Sequence, residues 1–88
     1  MNLKDAVVNY KSYEAFFEKE KLGLKRNTVR EIRFDDARFR LLYEMHISSK
    51  YGKIQIHKTN YKGEDLQYKI LRQITDVSFF KQVVIVSW

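Results

Sequence analysis

The sequence predicts an α+β domain in which two N-terminal helices precede a small antiparallel sheet that curls into a β-barrel. Three observations carry this expectation. Apolar residues recur at helical spacing as far as about residue 21, the patterning switches to period two near residue 50, and the chain finishes on the β-branched run Val83-Val84-Ile85-Val86. With 88 residues, 44% of them hydrophobic and 15% aromatic, residues 1–88 make one domain with a real core.

The first element spans 3–21. Leu3, Val7, Tyr10, Tyr13/Glu14 and Phe17 fall on one helical stripe, which Ala6 and Phe16 widen. Asn2 is a fitting N-cap and Gly23 a fitting C′ glycine, so one helix is expected over 3–21. Thr28, Val29 and Ile32 then favour a short strand. Phe34-Asp35-Asp36 reads as a staple and cap before a second helix over 37–45, with Phe39, Leu42 and Met45 on one side.

Beyond residue 50 the chain reads as strand. Ile54-Gln55-Ile56-His57 alternates, and Asn60-Tyr61-Lys62-Gly63 is a turn. Leu66, Tyr68, Ile70, Arg72, Ile74 and Asp76 share one face if 66–76 is a single uninterrupted strand. Val83–Trp88 reads as a strand buried on both faces. The stretches 54–58, 66–76 and 83–88 are expected to pair in one antiparallel sheet.

Composition narrows the chemistry. There is no cysteine, hence no disulfide and no thiolate metal site. The two histidines, His46 and His57, are not at metal-ligand spacing, so no metal and no cofactor are expected. No apolar run resembles a signal peptide or a membrane span, which together with the absent cysteine makes a cytoplasmic protein without a membrane partner the expectation. The net charge is +6, and residues 25–40 hold six basic side chains against three acidic ones, half of that excess. Clustered arginine suits phosphate or nucleic acid, although a solvated basic surface has the same composition.

The densest chemistry lies in Gly23-Leu24-Lys25-Arg26-Asn27-Thr28-Val29-Arg30, which reads G-x-K-x-x-T-x-R. The glycine permits a sharp turn, and a lysine, a hydroxyl and an arginine follow at fixed spacing. On these residues, and on the order of elements around them, the sequence resembles the ASCH family, a branch of the PUA-like small β-barrels. Ile70–Val77 and Val83–Trp88 look like the later barrel strands of its short members, many of them encoded by phages and prophages. The resemblance covers residues 13–88 in outline, and only the motif matches residue by residue. It implies RNA or modified-nucleoside binding beside the motif, with Gly23, Lys25, Arg26, Thr28, Arg30 and Arg72 as ligand-binding candidates.

The resemblance also implies an alternative. Many members have glutamate at the position of Thr28, whereas some with threonine are amidohydrolases of N4-acylated cytidine. By that likeness Thr28 is a candidate nucleophile and Lys25 its base. A lysine serves as a base only when burial or neighbouring cations such as Arg26 and Arg30 draw its pKa toward neutrality. The assisting carboxylate is the missing part. Asp76 is the candidate, but regular strand geometry puts it ~13 Å from Arg72 along the chain. Tyr51 and Tyr61 are candidate base-stacking residues. Binding nucleic acid or a nucleoside is therefore the leading expectation, an amidohydrolase the second, and a protein-interaction module of a mobile element the third.

Overall fold

In the computed structural model, which describes residues 2–88, the helical reading of the N-terminus is overturned first. Leu3–Asp5 forms a single 3-10 turn capped by Asn2, whose side chain accepts from the Lys4 amide. The chain then enters strand β1 (Val7–Tyr13), in which Val8, Tyr10 and Ser12 are buried and Val7, Asn9, Lys11 and Tyr13 face outward. Leu3, Val7, Tyr10 and Phe17 satisfy a helical period, but Val8-x-Tyr10-x-Ser12 satisfies a period of two. Val7, Val8, Tyr10 and Tyr13 all favour the extended backbone, and tertiary burial decides for it.

Helix α1 (Glu14–Lys21) is what remains of the expected long helix. It ends in a Schellman motif: Gly23, at φ +76, lets its own N–H reach Glu20 O at 3.2 Å and the Leu24 N–H reach Lys19 O at 2.9 Å. Strand β2 (Asn27–Glu31) and helix α2 (Ala37–Ser48) follow where the sequence places them. Asp36 is the N-cap of α2, and Leu42 and Met45 are fully buried. The remaining strands are β3 (Lys53–Thr59), β4 (Asp65–Gln73), β5 (Asp76–Phe80) and β6 (Val83–Ser87).

These strands form two three-stranded sheets, in the orders β1-β3-β4 and β2-β6-β5, and neither closes into a barrel. The single antiparallel sheet of the sequence reading fails at two places. First, β1 runs parallel to β3, with Val7 opposite Lys53 and Tyr13 opposite Thr59. Second, the stretch 66–76 is not one strand. At Ile74–Thr75 the chain changes partners, Ile74 N–H donating to Gly52 O and Thr75 N–H to Ser87 O, so β4 and β5 belong to different sheets. Strand β6 is central in the second sheet, with Val84 and Val86 buried and its other face half-buried.

Both sheets and both helices share one core. It runs from Val8 and Tyr10 through Phe17, Leu42, Met45, Ile54 and Ile56 to Ile70, Ile74, Val77, Val84 and Val86. Gly52 keeps it tight for a steric reason: a Cβ there would lie 2.4 Å from Ala6 O and 2.5 Å from Leu3 O. Among the described residues, no helix is long and apolar enough to cross a membrane. Strands β1 and β2 are both sheet edges, and a gap separates them. A barrel would close through a backbone ladder between them. Instead the Arg30 side chain spans the gap, its Nη2 donating to Lys11 O at 2.7 Å.

Candidate binding groove

The gap between the two edges is a groove with two lobes. The first lobe, about 540 Å³, lies between Lys11, Ser12 and Tyr13 of β1 and Asn27, Thr28, Val29 and Arg30 of β2, with Phe16, Lys25, Thr59 and Gly63 completing it. The second lobe has about the same volume, 540 Å³, and shares Lys11 and Arg30 with the first. Tyr10, Arg33, Asp36, Arg38 and His57 are among its walls.

Three of the four motif residues meet in the first lobe. Thr28 is buried, and its Oγ1 accepts from Arg30 Nε at 2.9 Å, which leaves the hydroxyl hydrogen for another partner. Lys25 Nζ donates to Asn27 O at 2.6 Å and to Glu20 Oε2 at 3.1 Å, and lies 5.9 Å from the centre of the Phe16 ring. Tyr13 and Phe16 stay half exposed at the lobe's rim, so the lobe offers aromatic faces beside cations.

Glu20 is the carboxylate that sequence reading missed. It sits in Lys19-Glu20-Lys21, which looks like a solvated helix surface, yet it is fully buried. The overlooked signal was its spacing, three residues after the buried Phe17 on the same helix face. Its Oε1 is, among the described residues, the one buried side-chain polar atom without a hydrogen-bond partner.

Arg30 holds the junction of the two lobes. Its guanidinium lies 4.8 Å from the centre of the Tyr10 ring, and Arg38 lies 4.4 Å from the same ring. Among the described residues no carboxylate pairs with Arg30; its hydrogen bonds go to the Thr28 hydroxyl and the Lys11 carbonyl. Burial draws its pKa below the ordinary arginine value, a pull that Tyr10 and Glu20 partly offset, and guanidinium remains charged regardless. Burial likewise raises the Tyr10 hydroxyl above its ordinary value, against the pull of Arg38. Arg38, by contrast, is satisfied: it forks onto Asp36 at 2.6–3.0 Å and donates to Asn9 O at 2.8 Å.

The other candidates lie elsewhere. Gly23, Arg26 and Arg72 line a smaller cleft of about 320 Å³ together with Glu20, Lys21, Leu22 and Trp88. Consecutive residues of extended chain point to opposite sides, so Lys25 turns toward Glu20 while Arg26 folds back, its Nε donating to Gly23 O at 3.2 Å. Arg72 donates to Leu71 O and, at 3.4 Å, to Lys21 O. Asp76 opens β5 opposite Ser87, which itself faces Asn27, so two strand spacings, ~10 Å, separate it from β2. Its carboxylate accepts from Ser78 Oγ at 2.7 Å, and it lines neither lobe. Tyr51 is half-buried against the core, and Tyr61 is exposed beside Lys62 and lines neither lobe. His57 binds Asn9 Oδ1 through Nε2 at 3.1 Å, and His46 donates from Nδ1 to Val77 O at 2.7 Å, the tautomer that a carbonyl partner requires.

No protein-family model matches this chain, and no curated protein is significantly similar to it.

Proposed function

We propose that the chain binds single-stranded nucleic acid, RNA in the first place, or a nucleoside-like fragment of it, in the groove between β1 and β2. One observation carries the reading: Arg30, a half-buried cation at the junction of the two lobes, has no carboxylate partner among the described residues. A desolvated charge satisfied only by neutral acceptors is a standing attraction for an anion. The rest of the first lobe fits a base. Tyr13 and Phe16 offer stacking faces, and Thr28 offers a hydroxyl hydrogen. The test is fluorescence anisotropy with labelled single-stranded RNA over a salt series. Log affinity is expected to fall with log salt at roughly −0.7 per neutralised phosphate, and Arg30→Gln to flatten that slope. Absence of binding to RNA or nucleosides at low salt would overturn the reading.

A second reading rests on Lys25 and Thr28 lining one lobe with the Glu20 carboxylate held against Lys25. In an amidohydrolase built on this set, Thr28 Oγ attacks the acyl carbon of an N4-acylcytidine. The C–N bond breaks, and the hydroxyl proton leaves with the amine. Water then cleaves the acyl-threonine ester, returning the hydroxyl and releasing the carboxylate. Incubation with N4-acetylcytidine tests it: release of acetate that Thr28→Val abolishes and Thr28→Ser retains in part supports the enzyme. No release by folded wild-type protein removes it.

A further inference from the structure

The second lobe differs from the first in its chemistry. Both lobes are lined by Lys11 and Arg30; the first adds Lys25 and the apolar faces of Tyr13, Phe16 and Val29, whereas the second adds Arg33 and Arg38 and none of those three faces. Its acidic residues are Glu31, Asp36 and Asp65. Asp36 is neutralised by the forked Arg38, and Asp65 is engaged by His57 Nδ1 at 3.5 Å and by the Gln67 amide at 2.7 Å. Among the described residues, Lys11, Arg30 and Arg33 enter no ion pair, against the single carboxylate of Glu31 left over. Three uncommitted cations therefore line the second lobe: Lys11 and Arg30 at its junction with the first, and Arg33 in the second alone. Tyr10 joins them: its ring is held by two guanidiniums, and its side chain lines the same lobe.

Resting on the base-binding reading of the first lobe, we infer that the second lobe is a phosphate subsite, so that the preferred ligand is a nucleotide whose base lies by Tyr13 and Phe16 and whose phosphate lies among Lys11, Arg30 and Arg33. The two lobes meet at Lys11 and Arg30, which is where a ribose would bridge a base to its phosphate. Arg30 commits Nε and Nη2 to the protein and lines both lobes, and Nη1 makes no hydrogen bond among the described residues. Arginine forks match phosphate oxygens in pairs, which favours phosphate over a single point acceptor. The phosphate has two sources, a free nucleotide or the backbone of an RNA strand.

Calorimetric titration with cytidine, cytidine 5′- and 3′-monophosphates, and a cytidine tetranucleotide tests the inference. At least one monophosphate is expected to bind about tenfold more tightly than cytidine, the size of one charge-assisted hydrogen bond. Arg33→Ala is expected to erase most of that gain while leaving cytidine affinity within about twofold, and Arg33→Lys to restore part of it. Lys11→Ala is expected to shrink the monophosphate-to-cytidine ratio in the same direction. Both side chains are exposed, so neither variant threatens the fold. A tetranucleotide that binds more tightly than either monophosphate identifies an RNA strand as the source, and equal affinities identify the free nucleotide. Cytidine and its monophosphates binding equally would overturn the phosphate subsite and leave the base-binding reading standing. So would a gain that survives in the Lys11→Ala/Arg33→Ala double variant. An oligoglutamate peptide that binds the groove while no nucleoside or nucleotide does would overturn both readings in favour of an acidic protein partner.

Discussion

At the residue scale, Glu20 and Lys25 decide how any experiment on the groove must be interpreted. A fully buried carboxylate rests its compensation on one ammonium, and its second oxygen has no partner among the described residues. Removing Lys25 alone therefore leaves an uncompensated buried charge. Lys25→Met is expected to cost about 2–4 kcal/mol in chemical denaturation, the lower end applying because the lysine side chain is 29% exposed. Replacing both residues, Glu20→Met with Lys25→Met, is expected to recover most of that loss. Additive losses in the double variant would contradict the pairing. Lost activity or binding in Lys25→Met alone thus says little about chemistry at Lys25, whereas Thr28→Ser changes one methyl and keeps the hydroxyl. Sequence reading found Lys25, Thr28 and Arg30 because their spacing is local. It assigned the carboxylate to Asp76 because nothing in Lys19-Glu20-Lys21 distinguishes a buried acid from a solvated one until the helix is docked.

At the element scale, α2, β3 and β6 were readable, whereas the first element and the break that makes β4 and β5 separate strands were not. Strand β3 alternates through Ile54 and Ile56 until its register with β4 shifts after His57, and α2 announces itself through Asp36 and the Leu42/Met45 spacing. Residues 3–21 fit two periods at once, and the choice between them rests on a partner strand more than 40 positions away. The Asp36 cap also makes a pH prediction. Hydrogen bonds from the Arg38 guanidinium hold the Asp36 carboxyl below the usual aspartate range, and Asp36 in turn holds Arg38 up. A depressed carboxyl adds stability above its unfolded pKa near 4, and that stability is lost as pH falls through the lower folded value. Asp36→Asn keeps a capping oxygen but has no charge to lose. Its stability is expected to fall less steeply than the wild type's below about pH 4, by about 1 kcal/mol or less because the pair is partly exposed. Lys58 depresses Glu18 in the same sense, so the acid-induced loss is reduced, not abolished. Parallel acid limbs for the two proteins would count against this coupling.

At the scale of the whole molecule, each sheet is a C-terminal hairpin completed by one N-terminal strand: β3–β4 takes β1, and β5–β6 takes β2. The barrel expectation failed here because it assumed a single antiparallel sheet, whereas the strands divide into two sheets and only the Arg30 side chain crosses the seam between β1 and β2. That seam places the groove between the two strands that join from a distance. Val7 lies opposite Lys53 and Asn27 opposite Ser87, so docking closes loops of roughly 46 and 60 residues, while the hairpins close through short turns. Pulsed hydrogen exchange during refolding is expected to show β3–β4 and β5–β6 amides protected first and β1 and β2 amides later, with an overall rate in the slow range typical of non-local pairing. Protection of β1 in the earliest phase would contradict that order. On a ribosome the same arrangement has a sharper meaning. The first half of the chain emerges with Val8, Tyr10 and Phe17 still without their partners, and β2 stays unpaired until Val83–Ser87 has been made. The groove is therefore the last part of this fold to form, and a nascent chain that stalls just before β6 has every groove residue but no groove.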